Sequence, residues 1–447
     1  MNESPLKIAV IGAGPVGLAL ALQAARSLPD AQVTLFDARA ATADVSGDPR
    51  TLALSLGSVQ LLERLDAWVA LAAQPILEVH VSQQPPSALT FLPAPLTELI
   101  GEPELRIRAL DEAVPMLGAV VSYGALVTAM QAVWAAAVAA QPQRLHSRFG
   151  TPVAALKNLG GAAGSGATGV WGVEVDAGIV DTFDLAVVAE GGVFGGGFSG
   201  GSNGGASGGS NGKANDASSA AARQALGLRQ RAPITHDYQQ TAWVGQVRFA
   251  ATPGAPARAS GVAFERFTRH GPVALLPLKN GGAALVWCVP SDDDGVAALD
   301  DAQRVTVLNT IFHASVGQIE SITPLKHFAL GLNAERTLTE GRSVRIGNAA
   351  QTLHPVAGQG LNLGLRDAFE LVQALARSPD VDAVLRRLEW QRGPDRWAMI
   401  AATDFLARSF TWKLPGGGAA RGLGLAALQA LRPLKSALAR QMMFGRR

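Results

Sequence analysis

A glycine-rich turn between a short apolar strand and a helix constrains the fold of this chain more than any other feature. Lys7 to Ile11 has the pattern of a buried strand, Gly12-Ala13-Gly14-Pro15-Val16-Gly17 follows at once, and an apolar helix begins there. A second strand, Gln32 to Phe36, ends in Asp37, twenty residues beyond Gly17. In such a unit the first glycine permits the tight turn, the second lets a pyrophosphate approach the backbone, and the third lets helix and strand pack closely. The alternative is a strand–helix–strand turn without a ligand.

The pattern predicts a dinucleotide site, and by itself it does not separate NAD from FAD. The predicted contacts are Gly12, Gly14, Pro15, Gly17 and Asp37, whose carboxylate is expected to accept hydrogen bonds from a ribose. Arg50, in an Asp-Pro-Arg run ahead of a predicted helix, either reaches the pyrophosphate or faces solvent.

A second glycine-rich corner lies between Arg345 and Asp367. It begins as the end of an apolar strand, breaks at Gly347, turns through Pro355 and becomes apolar at helical spacing from Leu361. A turn of this kind leaves several backbone N–H groups unpaired at a helix start, where the peptide dipoles add about half a positive charge. The corner therefore predicts a site for an anionic group, the alternative being glycines that serve packing alone. Polar side chains lie close together among its glycines: Asn348, Gln351, His354, Gln359 and Asn362.

Composition limits the class of protein. The chain has 447 residues, enough for two or three domains, and 48% hydrophobic residues, which favours a globular protein. A net charge of +2 provides no general attraction to nucleic acid, and the one cysteine, Cys288, excludes an internal disulfide and is typical of a reducing compartment. We expect Cys288 to be a buried structural thiol. The first residues do not resemble a secretory signal, and no run is expected to span a membrane, which favours a cytoplasmic protein.

The middle of the chain alternates strands with turns. Residues 151–189 predict a β-meander, and 234–290 predict an antiparallel sheet that forms a second domain. Phe264 to Phe267 and Ala274 to Leu278 give that sheet an apolar face, which is either core or the wall of an apolar cavity. Between these regions, 195–220 is rich in glycine and serine and predicts a flexible surface insertion.

The carboxyl-terminal part predicts helices with breaks at 393–394 and 415–418. From Phe405 to Arg447 there are eight Lys or Arg residues and no acid. A basic amphipathic helix of this kind either lies on an anionic membrane surface or packs on its own protein with a solvated basic face.

Together these motifs resemble the class A flavoprotein aromatic hydroxylases, and within them the ubiquinone-biosynthesis hydroxylases. The matching segments are Gly12 to Gly17 with Asp37, Asp48 to Ser55, Leu117 to Val121, Asp184 to Gly191, Ala274 to Leu278 and Gly347 to Asp367. Asn348 and Gln351, followed by Thr-Leu-His-Pro, are similar to the 2-polyprenyl-6-methoxyphenol hydroxylase branch. The chain departs from the family's Ala-Asp-Gly-x-x-Ser at Ala189-Glu190-Gly191.

The resemblance implies FAD, with the ADP half held by the first motif and the ring by the second corner. Its implied contacts in that corner are Asn348, Gly358, Gln359, Gly360 and Asn362. His354 and Pro355 are the implied substrate residues, the alternative being that His354 only stabilises the turn. The helix start at Gly358 to Gly360 would stabilise negative charge on the reduced flavin. We assign no catalytic base and no metal ligand.

The implied fold is α/β, with a discontinuous Rossmann-like FAD-binding domain, an antiparallel-sheet substrate domain and a helical carboxyl terminus. The FAD-binding domain is assigned to 1–75, 109–194 and 331–378, the substrate domain to 76–108 and 221–330, the insertion to 195–220 and the helical region to 379–447.

The implied activity is hydroxylation of a polyprenylated phenol in ubiquinone biosynthesis. A hydride from transiently bound NAD(P)H would reduce FAD, and O₂ would then give a C4a-hydroperoxyflavin whose distal oxygen attacks the ring. No second Gly-x-Gly-x-x-Gly fingerprint is present for a stable nicotinamide domain. The alternatives are a non-catalytic flavoprotein-fold scaffold that assembles with other ubiquinone-pathway proteins, and another flavin oxidoreductase acting on prenyl lipids.

Overall fold

The structure is a computed structural model that describes residues 5–84, 102–159, 172–190, 233–250, 261–313, 316–355, 358–411 and 417–445. The helices in these ranges are α1 (Pro15–Ser27), α2 (Leu56–Arg64), α3 (Tyr123–Ala140), α4 (Asp301–Ile311), α5 (Gln359–Arg377), α6 (Val381–Thr411), α7 (Gly417–Ala430) and α8 (Arg432–Phe444). The strands are β1 (Lys7–Ile11), β2 (Gln32–Asp37), β3 (Thr51–Ser55), β4 (Gln74–Ile76), β5 (Glu78–Gln83), β6 (Glu104–Arg108), β7 (Gly118–Ser122), β8 (Leu145–Phe149), β9 (Ala155–Leu159), β10 (Gly172–Asp176), β11 (Val180–Phe183), β12 (Leu185–Val188), β13 (Ile234–Phe249), β14 (Val262–Phe267), β15 (Pro272–Pro277), β16 (Ala283–Pro290), β17 (Ile319–Ile322), β18 (Lys326–Ala334), β19 (Thr339–Glu340), β20 (Ser343–Arg345) and β21 (Gln351–Thr352). The predicted insertion at 195–220 lies outside the described residues.

A mainly parallel sheet carries the first glycine motif at its carboxyl edge. Its strand order is β19-β20-β12-β1-β2-β8, and β1 lies parallel to both β2 and β12. Both faces are covered, by α1 and α3 on one side and by the β9–β11 meander on the other, so the strands are almost entirely apolar. The α/β prediction is confirmed.

A large, mostly antiparallel sheet forms the second unit. Its order is β21-β18-β13-β16-β15-β14-β5-β6, with β17 beside β13, and β14 lies parallel to β5. One face packs on α4, and the other packs on residues of the parallel-sheet unit and the carboxyl-terminal helices. Strands from 76–108 and 221–330 thus share one sheet, while the exact domain boundaries stay a prediction.

A small sheet, β4-β7-β3, connects the two units. Arg50 was expected just ahead of a helix, and this was wrong, because β3 follows it and pairs antiparallel with β7. The alternation in Thr51 to Ser55 has the two-residue period of a strand, and Ser55 then caps α2 by accepting from the Ser58 N–H.

Helix α6 runs through Pro394, so the predicted break at 393–394 was wrong. A proline removes one backbone hydrogen bond, but buried side-chain pairs anchor the helix on both sides of it. Arg392 Nε lies 2.8 Å from Asp367 Oδ1, and Arg396 Nε lies 2.6 Å from Gln351 Oε1. The second predicted break falls partly outside the described residues, and α7 begins at Gly417.

Helix α3 is long and apolar enough, by length and composition alone, to cross a membrane, and it is the one such helix among the described residues. The expectation that no run reaches that length was therefore wrong. Leu126, Val127, Met130 and Trp134 are buried in the same core as α1, so α3 covers the parallel sheet.

Candidate functional site

Two glycines of the first motif are fixed by close contacts, and one lies in open space. Gly12 has φ of +102°, and a Cβ there would lie 2.9 Å from the side chain of Glu190. A Cβ on Gly17 would lie 1.8 Å from the carbonyl oxygen of Gly12. A Cβ on Gly14, at the start of α1, would meet nothing within 4 Å. This combination leaves a cradle at the helix start where a ligand can approach the backbone.

Asp37 fixes the same loop from the end of β2. Its carboxylate accepts from the Ala13 N–H at 2.6 Å and pairs with Arg39 at 2.9 Å. Burial acts to raise the pKa of Asp37, but the hydrogen bonds and charge of Arg39 together hold that pKa below its usual value. Asp37 therefore carries a negative charge beside the cradle. Burial and that charge raise the pKa of Glu190, the residue that departs from the family pattern.

Arg39 was not among the predicted residues, although it is the first basic side chain after the acid. It also donates to the Ala13 carbonyl at 2.9 Å and so closes the loop. Arg50 pairs with Asp48 at 2.7 Å and lies over the Tyr123 ring, with Cζ 4.0 Å from the centroid. Its predicted contact with a pyrophosphate stays a prediction.

The second corner begins α5 without a side-chain cap. Gly358 has φ of +58° at the position before Gln359, which is buried, and as a glycine it has no side chain to cap the helix. By contrast, side chains cap α2, α3 and α4, namely Ser55, Ser122 and Asp300. Helix α1, which begins after Gly14, also lacks a side-chain cap. Both glycine corners therefore present helix starts to an anionic ligand.

Asn348 and Gly360 lie beside each other at this corner. A Cβ on Gly360 would have the Asn348 Oδ1 as its nearest neighbour, at 3.9 Å. Asn348 is exposed, and its side chain makes no hydrogen bond to the described residues. Its amide is therefore free to donate to and accept from a polar chain of a ligand.

Asn362 has a structural role that its place in the motif did not indicate. Its Oδ1 accepts from the Ser55 N–H at 2.8 Å and the Ser58 hydroxyl at 2.7 Å, and its Nδ2 donates to the carbonyls of Ala53 and Gly358. Three of these bonds fasten α5 to β3 and α2, and the fourth stays within the start of α5. A direct cofactor contact by Asn362 stays a prediction.

The two glycine corners meet at Val16. A Cβ on Gly347 would lie 3.2 Å from the side chain of Val16, and a Cβ on Gly364 would lie 2.8 Å from it. The helix after the first motif and the helix after the second corner therefore pack directly against each other. One ligand can reach both corners because they lie in contact on the same side of the molecule.

His354 is buried and bridges the corner to the large sheet. Its Nε2 lies 2.9 Å from Gln240 Oε1, and its ring meets Tyr238 edge-on at 5.3 Å. Burial lowers the pKa of His354 to about 4, so its imidazole is neutral near pH 7. Pro355 follows it and is partly buried. Their substrate roles stay predictions.

The residues present fit a dinucleotide flavin. The cradle at Gly14 and the charged Asp37 supply donors and acceptors at the first corner, and the start of α5 and the amide of Asn348 supply them at the second, which contacts the first at Val16. Among the described residues no group of three or more His, Cys, Asp or Glu side chains is placed to hold a metal ion. A separate cavity of about 360 Å³ lies at the amino ends of β1 and β2, away from both corners.

Comparisons with known proteins agree with this site. Residues 215–399, which include the second corner, match the FAD binding domain family. The ubiquinone hydroxylase UbiL of Rhodospirillum rubrum is 35% identical over 41% of this chain and 44% of its own length. The 3-demethoxyubiquinol 3-hydroxylase of Escherichia coli is 27% identical over 97% of both chains. The chain spans about half the length of the first curated relatives it matches.

A solved structure shares the whole fold. Klebsiella pneumoniae HpxO, in complex with FAD and uric acid, superposes with a TM-score of 0.63 at 16% identity and covers 98% of this chain and 97% of its own. At that identity the likeness shows the fold alone. Residues 215–399 thus match an FAD binding domain, and the chain is similar along nearly its whole length to a ubiquinone-pathway hydroxylase.

Proposed function

We propose that the chain is an FAD-dependent monooxygenase that hydroxylates a polyprenylated phenol in ubiquinone biosynthesis, using NAD(P)H and O₂. The observation that carries the proposal is the contact of the two glycine corners at Val16, which brings together the two segments that would hold a flavin. Similarity over nearly the full length to a protein named 3-demethoxyubiquinol 3-hydroxylase supports the substrate class.

The chain's own residues would hold the cofactor at two ends. Gly12, Gly14, Gly17 and Asp37 would hold the ADP half, and Asn348 with the start of α5 would hold the ring end. When bound, FAD would supply hydride acceptance and oxygen activation. The N–H groups at the start of α5 favour negative charge there, because Gly358, the residue before the helix, has no side chain to cap them.

NAD(P)H as the co-substrate is part of the proposal. A class A enzyme needs a reductant, and no second dinucleotide fingerprint occurs in the sequence, so the nicotinamide is expected to bind transiently. Initial rates of NADH and NADPH oxidation by the purified protein would establish the preference.

The decisive experiment is oxygen uptake by purified protein with a short-chain methoxyphenol, followed by product mass and ring position. We expect yellow protein whose flavin bleaches with NAD(P)H and recovers in air, with phenol-dependent oxygen consumption. A colourless, stably folded protein would instead favour the scaffold. Flavin turnover on prenyl lipids without oxygen consumption would indicate a different oxidoreductase.

We further propose that α8 rests on an anionic membrane surface. Leu431 and Leu434 are 54% and 51% exposed, next to the basic residues Arg432 and Lys435. Exposed leucines beside basic residues match the chemistry of an anionic lipid interface.

We expect Leu434→Glu to weaken co-sedimentation with phosphatidylglycerol vesicles by about tenfold, since it removes apolar area and adds a repelled charge. Leu71→Glu, on an exposed turn of the parallel-sheet unit, is the control; equal loss in both variants would contradict the proposal.

The proposed location is therefore the cytoplasm, peripheral on the inner face of the membrane. Assembly with other ubiquinone-pathway proteins is also proposed, and Trp390, 85% exposed on α6, is an apolar anchor for it. Loss of co-purification in Trp390→Arg would support that contact, and unchanged co-purification would count against it.

A further inference from the structure

Glu265 lies on β14, in the middle of an otherwise apolar row that crosses five strands. Register places Val81, Glu265, Ala274, Val286 and Val244 side by side on one face of the large sheet. All five are partly buried, whereas their neighbours on the opposite face, against α4, are mostly buried. The row is therefore less completely covered than the opposite face, on the side of the sheet that packs toward α2 and α5.

Two core clusters flank the row. One contains Ala263 and Phe267, which flank Glu265 on the same face, together with Leu56 of α2. The other contains Leu363 of α5, four residues beyond Gln359, and Val286 packs against that cluster. The row thus joins the small sheet to the helix that begins at the second glycine corner.

The carboxyl group of Glu265 has no hydrogen-bond or ion-pair partner among the described residues. Its neighbours in the row are aliphatic, and the nearest other titratable group on this face, Cys288, is itself buried. Burial raises the pKa of Glu265 to about 7. By contrast, the next residue, Arg266, points to the other face and bonds Glu102, Ser82 and the carbonyl of Ile311.

A purely structural role does not account for this residue. A carboxyl group in apolar surroundings without a partner costs stability, and an aliphatic side chain would pack there at no such cost. Apolar pockets that bind small molecules commonly hold a few polar groups that fix the orientation of the ligand. An unpaired carboxyl group on a partly covered apolar face between two core clusters is a candidate for such a group.

We propose that Glu265 is the recognition group for the substrate ring, accepting a hydrogen bond from the phenolic hydroxyl of a substrate bound over the row. The inference rests on the proposed function and deepens it. The aliphatic members of the row would contact the ring and the beginning of its apolar chain. The bond from the hydroxyl to the carboxylate would also increase electron density on the ring that is to be hydroxylated.

The test compares a phenol with its methyl ether, which has the same shape and lacks the donor. Calorimetric titration of the FAD-loaded full chain with a short-chain 2-methoxyphenol, and with the corresponding dimethoxybenzene, gives the ratio of the two affinities. We expect about a tenfold preference for the phenol in the wild type, about threefold in Glu265→Gln, whose amide oxygen accepts more weakly, and none in Glu265→Leu.

Glu320→Gln, at an exposed position on β17 of the same sheet, is the matched control and should keep the wild-type ratio. An unchanged ratio in Glu265→Leu, or no preference in the wild type, would overturn the inference. The titration needs no turnover, so it separates the two proposals. If the preference for the phenol is lost in Glu265→Leu but the protein consumes no oxygen, the role of Glu265 is upheld and the hydroxylase activity is rejected. If the protein consumes oxygen but the affinity ratio is unchanged in Glu265→Leu, the hydroxylase activity is upheld and the role of Glu265 is rejected.

Discussion

At the scale of single residues, the carboxyl group of Glu265 makes the stability of the fold depend on pH. Burial raises its folded pKa to about 7, above the value of about 4.3 expected in an unfolded chain. The folded state therefore holds this proton more tightly than the unfolded chain does. The resulting contribution to the free energy of unfolding is fully present below the unfolded pKa and is lost as the pH rises through 7. The group proposed to bind substrate is thus a group that costs stability at neutral and alkaline pH.

Replacing Glu265 with Gln should raise the free energy of unfolding at pH 8, by up to about 3 kcal/mol, because the amide carries no charge to desolvate. At pH 4 the variant and the wild type should differ little. Urea unfolding of both proteins at the two pH values measures this. Glu320→Gln should change neither value, and a Glu265→Gln variant that is less stable at pH 8 would show that the carboxylate has a partner in the fold.

His354 makes the free energy of unfolding depend on pH in the opposite direction. Burial lowers its folded pKa to about 4, from about 6.5 in the unfolded chain, so its contribution is present above pH 6.5 and is lost as the pH falls through 4. In His354→Gln the loss of stability between pH 6.5 and pH 4 should be smaller by up to about 3 kcal/mol. Thermal unfolding across this range measures it, with His146→Gln, at a partly buried position on β8, as the control. An identical acid profile in His354→Gln would show that His354 is charged in the fold.

Some single residues are predictable from sequence and others are not, for a physical reason. Asp37 is predictable because a short strand after a glycine-rich turn fixes where its last residue lies. Glu265 is not, because a charged residue in an alternating strand has the pattern of a solvent face, and only the packing of a second domain shows that the face is covered. Asn362 belongs to a recognisable motif, but three of its four partners are residues more than 300 positions away.

At the scale of elements, the flavin site depends on how closely α1 and α5 pack. A Cβ on Gly364 would lie 2.7 Å from the Cα of Gly347 and 2.8 Å from Val16. Both close neighbours belong to the glycine corners themselves. In the sequence Gly364 is a glycine within a predicted helix. No neighbouring residue indicates that it packs against the backbone of Gly347.

Gly364→Ala should therefore separate the two corners, lowering the free energy of unfolding by about 1–3 kcal/mol and weakening FAD binding at least tenfold. FAD titration monitored by flavin fluorescence, together with urea unfolding, measures both effects. The control is Gly424→Ala in α7, where a Cβ would meet nothing within 4 Å and should stabilise the helix slightly. If Gly364→Ala binds FAD as tightly as the wild type, the contact between corners is not required for the site.

At the scale of the whole molecule, a buried polar network ties the carboxyl-terminal helices to the second glycine corner. Arg392 pairs with Asp367 of α5 and with Asp395, both at 2.8 Å, and Gln441 of α8 donates to Asp395 at 2.6 Å. Gln351, in the corner itself, lies 3.5 Å from Asp367. The network joins three helices and the turn that follows Asn348, so the tail of the chain supports the site. The sequence could not show this network, because most of its members are tens of residues apart and their spacing follows neither a helix nor a strand period.

Arg392→Met should be the most damaging single change outside the site. It leaves the carboxylates of Asp367 and Asp395 without their main cation in a buried position, which costs about 3–5 kcal/mol when a buried pair is broken. Because Asp367 also contacts Gln351, loosening of the corner should lower FAD affinity as well. The control is Arg386→Met, at an exposed position on the same helix, which should change neither quantity. Both are measured by urea unfolding and FAD titration. A loss of stability with unchanged FAD affinity would show that the network supports the helices alone, and that the corner holds its shape through Asn362 and Val16 without help from the tail.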